Sequence, residues 1–109
     1  GLGTDTGCPY ITHYDMWREL CYFVKYCGVT PTFALYTATL RNAQLAGLGG
    51  ETGSIEEGKC ADLIACRENP LEGFTALREL ELVVRGGARI ERPQIKKMPD
   101  VERGLDKCL

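Results

Sequence analysis

The stretch GVTPTFALYTATLRNAQLAGL, residues 28–48, decides the fold of this part of the chain, because helix signals follow one another with hardly a break. Thr30 and Pro31 form a helix start, since threonine is favoured at the N-cap and proline at the first helical position. The apolar segment 33–37 continues that helix, and a further short helix is predicted over 40–46, ending at Gly47. Small residues that allow helices to approach closely recur along the stretch: Ala34, Ala38 and Ala43.

An amphipathic helix is predicted before this stretch, over residues 12–28. Its apolar side chains recur at three- and four-residue steps and share one face: Trp17, Leu20, Cys21 and Val24. Thr12 is expected as the N-cap, with Asp15 as the acid of a capping box. Gly28 stands where a left-handed residue ends a helix. The short connections between the three helices indicate close packing.

Beyond Gly47 the sequence changes to a loop rich in glycine and acidic residues, and then to β structure. Three segments carry clear patterns: a buried strand at Ala61–Cys66, a short helical turn at Phe74–Leu80, and a β-hairpin of Leu82–Val84 and Ala88–Ile90 around Gly86-Gly87. From Arg92 onward the chain is charged and weakly periodic, which predicts a tail with a last helix near 99–109.

Size and charge limit the classes of function. A chain of 109 residues suits one small domain or a piece of a larger one. With 44% hydrophobic and 26% charged residues, the composition is typical of a soluble globular protein. The net charge of -2 gives no electrostatic reason to expect nucleic acid or a membrane surface as a partner. No apolar run is long enough to span a bilayer, and no secretory leader opens the chain.

The six cysteines allow two interpretations. An even count in a short chain is compatible with a disulfide framework. We favour free thiols, because Cys21 and Cys27 fall in the apolar helical pattern and Cys66 in the strand pattern, where cysteine acts as a small buried hydrophobe. The single histidine, His13, cannot complete a Cys/His zinc site of the usual spacing. Reduced thiols favour a cytoplasmic location.

Asp5 lies in the triplet Asp-Thr-Gly, which also occurs in aspartic proteases. In those enzymes two carboxylates share a proton and activate water. The triplet there sits inside an all-β domain with several strands before it. Here four residues precede Asp5 and an amphipathic helix follows it, so we reject the protease interpretation.

Several motifs in a fixed order resemble the C-terminal part of the amidohydrolase superfamily, in its imidazolonepropionase-like and prolidase-like (Xaa-Pro dipeptidase) branch. The matching stretches are Gly3–Asp5, Thr30–Ala43, Gly53–Leu63, Asn69–Leu71 and the hairpin Leu82–Ile90. Together they cover nearly the whole chain up to about Arg92. Several motifs in the same order make this resemblance far more specific than a single triplet.

The resemblance implies an α+β fragment in three parts. Residues 1–52 would be the end of strand eight and the terminal helices of a (β/α)₈ barrel. Residues 53–92 would supply a strand and a hairpin to a small β-sandwich, which N-terminal strands complete. Residues 93–109 would form a C-terminal tail.

The resemblance also implies metal-dependent hydrolysis of a carbon–nitrogen bond, in an amide or peptide such as an Xaa-Pro dipeptide. Asp5 would bind or approach a divalent metal, zinc by resemblance, accept a proton from the metal-bound water and pass it to the leaving amine. His13 is interpreted as a first-turn residue that faces solvent or packs nearby. Tyr10 and Tyr14 are interpreted as packing or pocket-wall residues.

Charged residues of the loop before the first strand are interpreted as structural. Lys59 and Asp62 are expected to pair with each other or to satisfy backbone groups of the loop. Glu56 and Glu57 are expected on a solvated face, with nothing to make them an acid/base pair.

In the family the remaining metal ligands lie upstream, on a His-x-His strand and on later strands. The fragment alone is therefore expected to bind no metal and to be inactive, with the N-terminal barrel portion as its partner and a small amide or dipeptide as substrate. The alternative hypothesis is a non-catalytic folding or interaction module that self-associates as a homo-oligomer. The unpaired strands would drive that association.

Overall fold

Helices form the first part of the chain and a small sheet the second, in a computed structural model that describes residues 1–109. The helical part contains α1 (Trp17–Cys27), α2 (Pro31–Tyr36), a π-helix (Thr37–Arg41) and α3 (Asn42–Leu45). The second part contains β1 (Leu63–Cys66), a 3₁₀ helix (Phe74–Arg78), β2 (Leu80–Arg85), β3 (Ala88–Glu91) and α4 (Pro99–Asp106). The fold is thus α+β, with a three-stranded antiparallel sheet in the order β1-β2-β3.

The start of α1 differs from the prediction, and the expected capping box is wrong. The N-cap is Met16, whose side chain makes no capping hydrogen bond. Asp15 instead accepts hydrogen bonds from Trp17 Nε1 and Arg18 Nε, each at 3.0 Å. Thr12 is buried, and its hydroxyl has no hydrogen-bond partner. Neither hydrogen bond of the predicted capping box therefore forms, and α1 begins at Trp17.

The second helical segment is one continuous run over residues 31–45, where two separate helices were predicted. Its start is as predicted, because Thr30 Oγ1 accepts a hydrogen bond from Phe33 N at 3.2 Å. No glycine or proline interrupts the run, and a π turn joins α2 to α3. The Thr37 hydroxyl donates to the carbonyl of Phe33 at 2.8 Å, inside the helical run. The predicted helix ends are confirmed, with Gly28 and Gly47 both in the left-handed region.

A small apolar core joins α1, α2 and the 3₁₀ helix. Its buried residues are Leu20, Ala34 and Phe74. Leu2 packs against this cluster from the start of the chain. The predicted helical turn near residue 74 is therefore confirmed, and it supplies the largest side chain of this cluster.

The predicted hairpin is confirmed, with β2 and β3 joined at Gly86-Gly87. The first strand begins later than predicted, and the prediction that it is buried is wrong. Leu63 is 40% exposed and Ile64 is 56% exposed. Neighbours along a strand face opposite sides of a sheet, so both faces of the sheet keep apolar side chains in contact with solvent in this chain.

The predicted C-terminal helix is present as α4, and it is attached to the helical part by ionic contacts. Asp106 Oδ1 accepts a hydrogen bond from Arg18 Nη1 at 2.8 Å and pairs with Arg78 as well. Hydrogen bonding from Arg18, supported by Arg78, holds the pKa of Asp106 below its ordinary value. Lys25 Nζ donates to the carbonyl of Cys108 at 3.0 Å.

All six cysteines are free thiols. Cys21 and Cys66 are half-buried, and burial raises the pKa of the Cys21 thiol. Cys27 is exposed, so the buried-thiol prediction is wrong there. The apolar cluster that packs around Leu20 includes Val24 but does not reach the last residue of α1. None of the helices has the length and apolar character needed to cross a bilayer.

Candidate functional site

Asp5 lies on an exposed turn between the start of the chain and α1. Its backbone is left-handed, with φ 51°, a conformation that aspartate tolerates better than most residues. Its carbonyl accepts a hydrogen bond from Cys8 N at 3.2 Å, which closes the turn. The carboxylate is therefore displayed on a short turn and not buried in the core.

The residues before Asp5 are fixed to the helical run by Asn42. Leu2 N donates to Asn42 Oδ1 at 2.9 Å, and Asn42 Nδ2 donates back to Leu2 O at 2.9 Å. The Leu2 side chain packs against the core cluster. The chain thus reaches Asp5 from a point that is held by both hydrogen bonds and packing.

A second carboxylate lies near Asp5. The pKa of Glu19, on α1, is raised, chiefly because the group is partly buried and also because the negative charge of Asp5 is close. A cavity of about 50 Å³ lies beside the turn, and Glu19, Tyr10 and Arg18 are among the residues that line it. Residues that flank the turn and residues of the first half of α1 therefore line one small cavity.

Two guanidinium groups lie against the buried ring of Trp17. The Arg18 guanidinium lies 4.6 Å from the centroid of the Trp17 ring, and that of Arg78 lies 4.8 Å from it. Burial lowers the pKa of Arg18, but hydrogen bonds with Asp106 and Asp15 outweigh that effect and raise it above its ordinary value. Arg18 therefore remains charged and ties α1 to α4.

The residues of this chain do not fit a metal site by themselves. No group of three or more histidine, cysteine, aspartate or glutamate side chains is placed to hold an ion. His13 is exposed, but it lies in the turn before α1 and not in the first turn of the helix as predicted. Catalytic metal sites use about three protein ligands, and this chain does not bring three such side chains together.

Known proteins share the sequence pattern and the fold described so far. Residues 1–90 match the sequence profile of the amidohydrolase family. The chain belongs to the amidohydrolase family. The predicted resemblance to this family is therefore confirmed.

Three relatives show how far this amidohydrolase-family chain extends along larger proteins. A candidate prolidase from Bifidobacterium longum has a TM-score of 0.95 and 43% identity, over 98% of this chain and 26% of that one. A Xaa-Pro dipeptidase, solved with methionine bound in its active site, has a TM-score of 0.70 and 36% identity, over 74% of this chain and 20% of that one. Ochratoxinase from Aspergillus niger is 38% identical over an alignment of 100 positions, and the match covers 86% of this chain and 20% of that protein. The chain thus spans about a fifth to a quarter of the length of these relatives.

Lys59 and Asp62 do not pair with each other. Lys59 satisfies a backbone carbonyl of its own loop, as predicted, whereas Asp62 binds the backbone of the β2–β3 turn. Lys59 Nζ donates to Gly49 O at 2.7 Å, and Asp62 Oδ1 accepts from Gly86 N at 2.8 Å. Lys59 also pairs with Glu56 at 2.7 Å. Hydrogen bonds from Lys59 and then Ser54 lower the pKa of Glu56, which lies on the exposed loop face as predicted.

Sequence reasoning missed Asn42 and Glu19. Asn42 carries a weak signal, since a residue of low helix propensity stands inside a strongly helical stretch. Its partner is forty residues away, so no local pattern identifies it. Glu19 reads as an ordinary polar residue of an amphipathic helix, and only the placement of Asp5 gives it a second carboxylate as a neighbour.

Proposed function

We propose that this chain is the C-terminal section of a metal-dependent amidohydrolase that hydrolyses a carbon–nitrogen bond in a small amide or dipeptide. The observation that carries the proposal is the likeness of nearly the whole chain to the candidate prolidase. The likeness to a Xaa-Pro dipeptidase makes Xaa-Pro dipeptides the first substrates to test.

In this proposal residues 1–52 end the (β/α)₈ barrel, 53–92 join a small β-sandwich, and 93–109 are an attached tail. Active sites of such barrels lie at the carboxyl ends of the strands. Asp5 would then stand at the mouth of the barrel. Its exposure on a turn after a held segment supports that placement.

Asp5 is the proposed general base. Its carboxylate would accept a proton from the attacking water and return it to the leaving amine, a role that carboxylates fill in hydrolases. A divalent metal, zinc by resemblance, would supply Lewis-acid activation in the intact enzyme, with Asp5 as one of its ligands. The other ligands would come from the N-terminal barrel portion, so the chain alone would be inactive.

The test is Asp5→Asn in the full-length protein, assayed with a panel of Xaa-Pro dipeptides and small amides. We expect kcat to fall by about 10²- to 10⁴-fold, the usual contribution of a general base, with the melting temperature little changed. Glu57→Gln is the control, because it neutralises an exposed loop acid that lies outside the Asp5 region. Normal turnover of the Asp5→Asn protein would refute the assignment.

A second candidate function is a self-associating, non-catalytic module. It is favoured by the cross-strand row of Ile64, Val83 and Ile90, in which Ile64 and Ile90 are both more than half exposed.

We also propose a cytoplasmic location, which the six free thiols support.

A further inference from the structure

We infer that Asn42 is a positioning residue for Asp5, acting through the backbone of Leu2. The inference rests on the proposed function of Asp5. Asn42 would not touch the substrate. It would set where the Asp5 carboxylate stands by fixing the chain three residues earlier.

Asn42 binds both backbone polar groups of Leu2, one on each of the two peptide units that flank it. Its Oδ1 accepts from Leu2 N and its Nδ2 donates to Leu2 O, both at 2.9 Å. A carboxamide offers this donor and acceptor side by side, and aspartate or leucine does not. The approach is close, since a Cβ placed on Gly1 would lie 2.5 Å from Asn42 Oδ1.

These hydrogen bonds are relevant to Asp5 because Leu2 and Asp5 are only three residues apart in the sequence. Three residues of extended chain span at most about 10 Å. On its other side, Asp5 begins a turn that is closed by the hydrogen bond from Cys8 N to Asp5 O. A shift of Leu2 would therefore displace the Asp5 carboxylate as well.

The π-helix decides which side chain faces Leu2. Asn42 directly follows this wide turn, and its N–H donates to Thr37 O, five residues back. One added residue in a helical turn rotates everything after it by about 100°. Asn42 is half-buried against Leu2, while the next residue, Ala43, points into the protein and is buried. Such π turns within α-helices occur frequently at functional sites.

Asn42→Asp in the full-length protein tests the inference. This change keeps the shape and one acceptor oxygen, but removes the donor to Leu2 O and sets a carboxylate against that carbonyl. We expect kcat to fall by about tenfold to a hundredfold, the scale of a misplaced catalytic group, with KM within about twofold because uniform binding is untouched. Amide exchange of residues 1–6 should accelerate while that of α1 does not change.

Thr39→Ala is the matched control. Thr39 lies on the same helical run and its hydroxyl donates to Leu35 O at 2.8 Å, away from Leu2. It should alter neither kcat nor the exchange of residues 1–6. If Asn42→Asp does not fold, Asn42→Ala provides the same readouts without the added charge.

A double variant separates positioning from a general structural role. In the Asp5→Asn background, Asn42→Asp should lower kcat by less than about twofold, because coupled groups are non-additive. An equal loss in both backgrounds, or a lower melting temperature with unchanged kcat, would overturn the inference. The proposed function fails separately, on Asp5→Asn with Asn42 intact.

Discussion

At the scale of single residues, the ion pair of Asp15 and Arg18 is the most consequential polar contact of the core. Both side chains are about 95% buried, and Arg18 Nε lies 3.0 Å from Asp15 Oδ2. Asp15 also accepts a hydrogen bond from Trp17 Nε1, so one carboxylate orients the side chains of both Trp17 and Arg18. A buried pair adds little net stability over an apolar substitute, but breaking it leaves an unpaired buried charge.

We therefore predict that Asp15→Ala lowers the free energy of unfolding by about 3–5 kcal/mol. The matched control is Asp100→Ala, which breaks another i,i+3 pair, with Arg103, whose side chains are both largely exposed. The control should cost less than about 1 kcal/mol, as exposed pairs do. Urea denaturation of the full-length protein measures both, and equal losses would contradict the difference in burial.

At the scale of elements, the sequence predicts best what depends on near neighbours. The cap at Thr30 and the end at Gly28 rest on bonds within one turn, and both are confirmed. The predicted start of α1 at residue 12 is wrong, and Asp15 binds the side chains of Trp17 and Arg18 instead of the helix N–H groups of a capping box. Asn42 was not predicted because its partner, Leu2, lies forty residues away in the sequence.

The loop between the helical part and β1 contains a close approach that only glycine allows. A Cβ on Gly53 would lie 2.7 Å from Ala43 Cβ and 2.9 Å from Leu40 Cα. Gly58 provides a matched control, because its φ is also positive, at 88° against 94°, yet its Cβ would meet nothing within 4 Å.

Both Gly→Ala variants should carry the strain of a positive φ, about 1–2 kcal/mol. Gly53→Ala should lose about 1–3 kcal/mol more, the usual cost of overpacking. Thermal and urea unfolding of the two variants measure the difference. Equal stability would mean that the helix and the loop move apart freely.

At the scale of the whole molecule, this chain carries elements whose burial it does not itself complete. The core joins α1, α2 and the 3₁₀ helix, but the sheet packs little of its apolar surface. The pattern of residues 61–66 correctly predicted an apolar strand, but the prediction that it is buried is wrong, because Leu63 and Ile64 are exposed in this chain. Burial is a property of the assembled protein, so a local pattern predicts an apolar strand more safely than it predicts a buried one.

The exposed cross-strand row of Ile64, Val83 and Ile90 allows a test of the second candidate function, self-association. The 109-residue chain expressed alone should self-associate through the sheet, because exposed apolar rows on open sheets promote pairing. Ile64→Lys should shift it toward the monomer, as measured by size-exclusion chromatography with light scattering over a range of concentrations. Ile55→Lys is the control, since Ile55 is 88% exposed on a loop outside the sheet. A monomer at every concentration would contradict self-association. If Ile64→Lys then lowered the melting temperature of the full-length protein, the proposed sandwich would be the cover of this row.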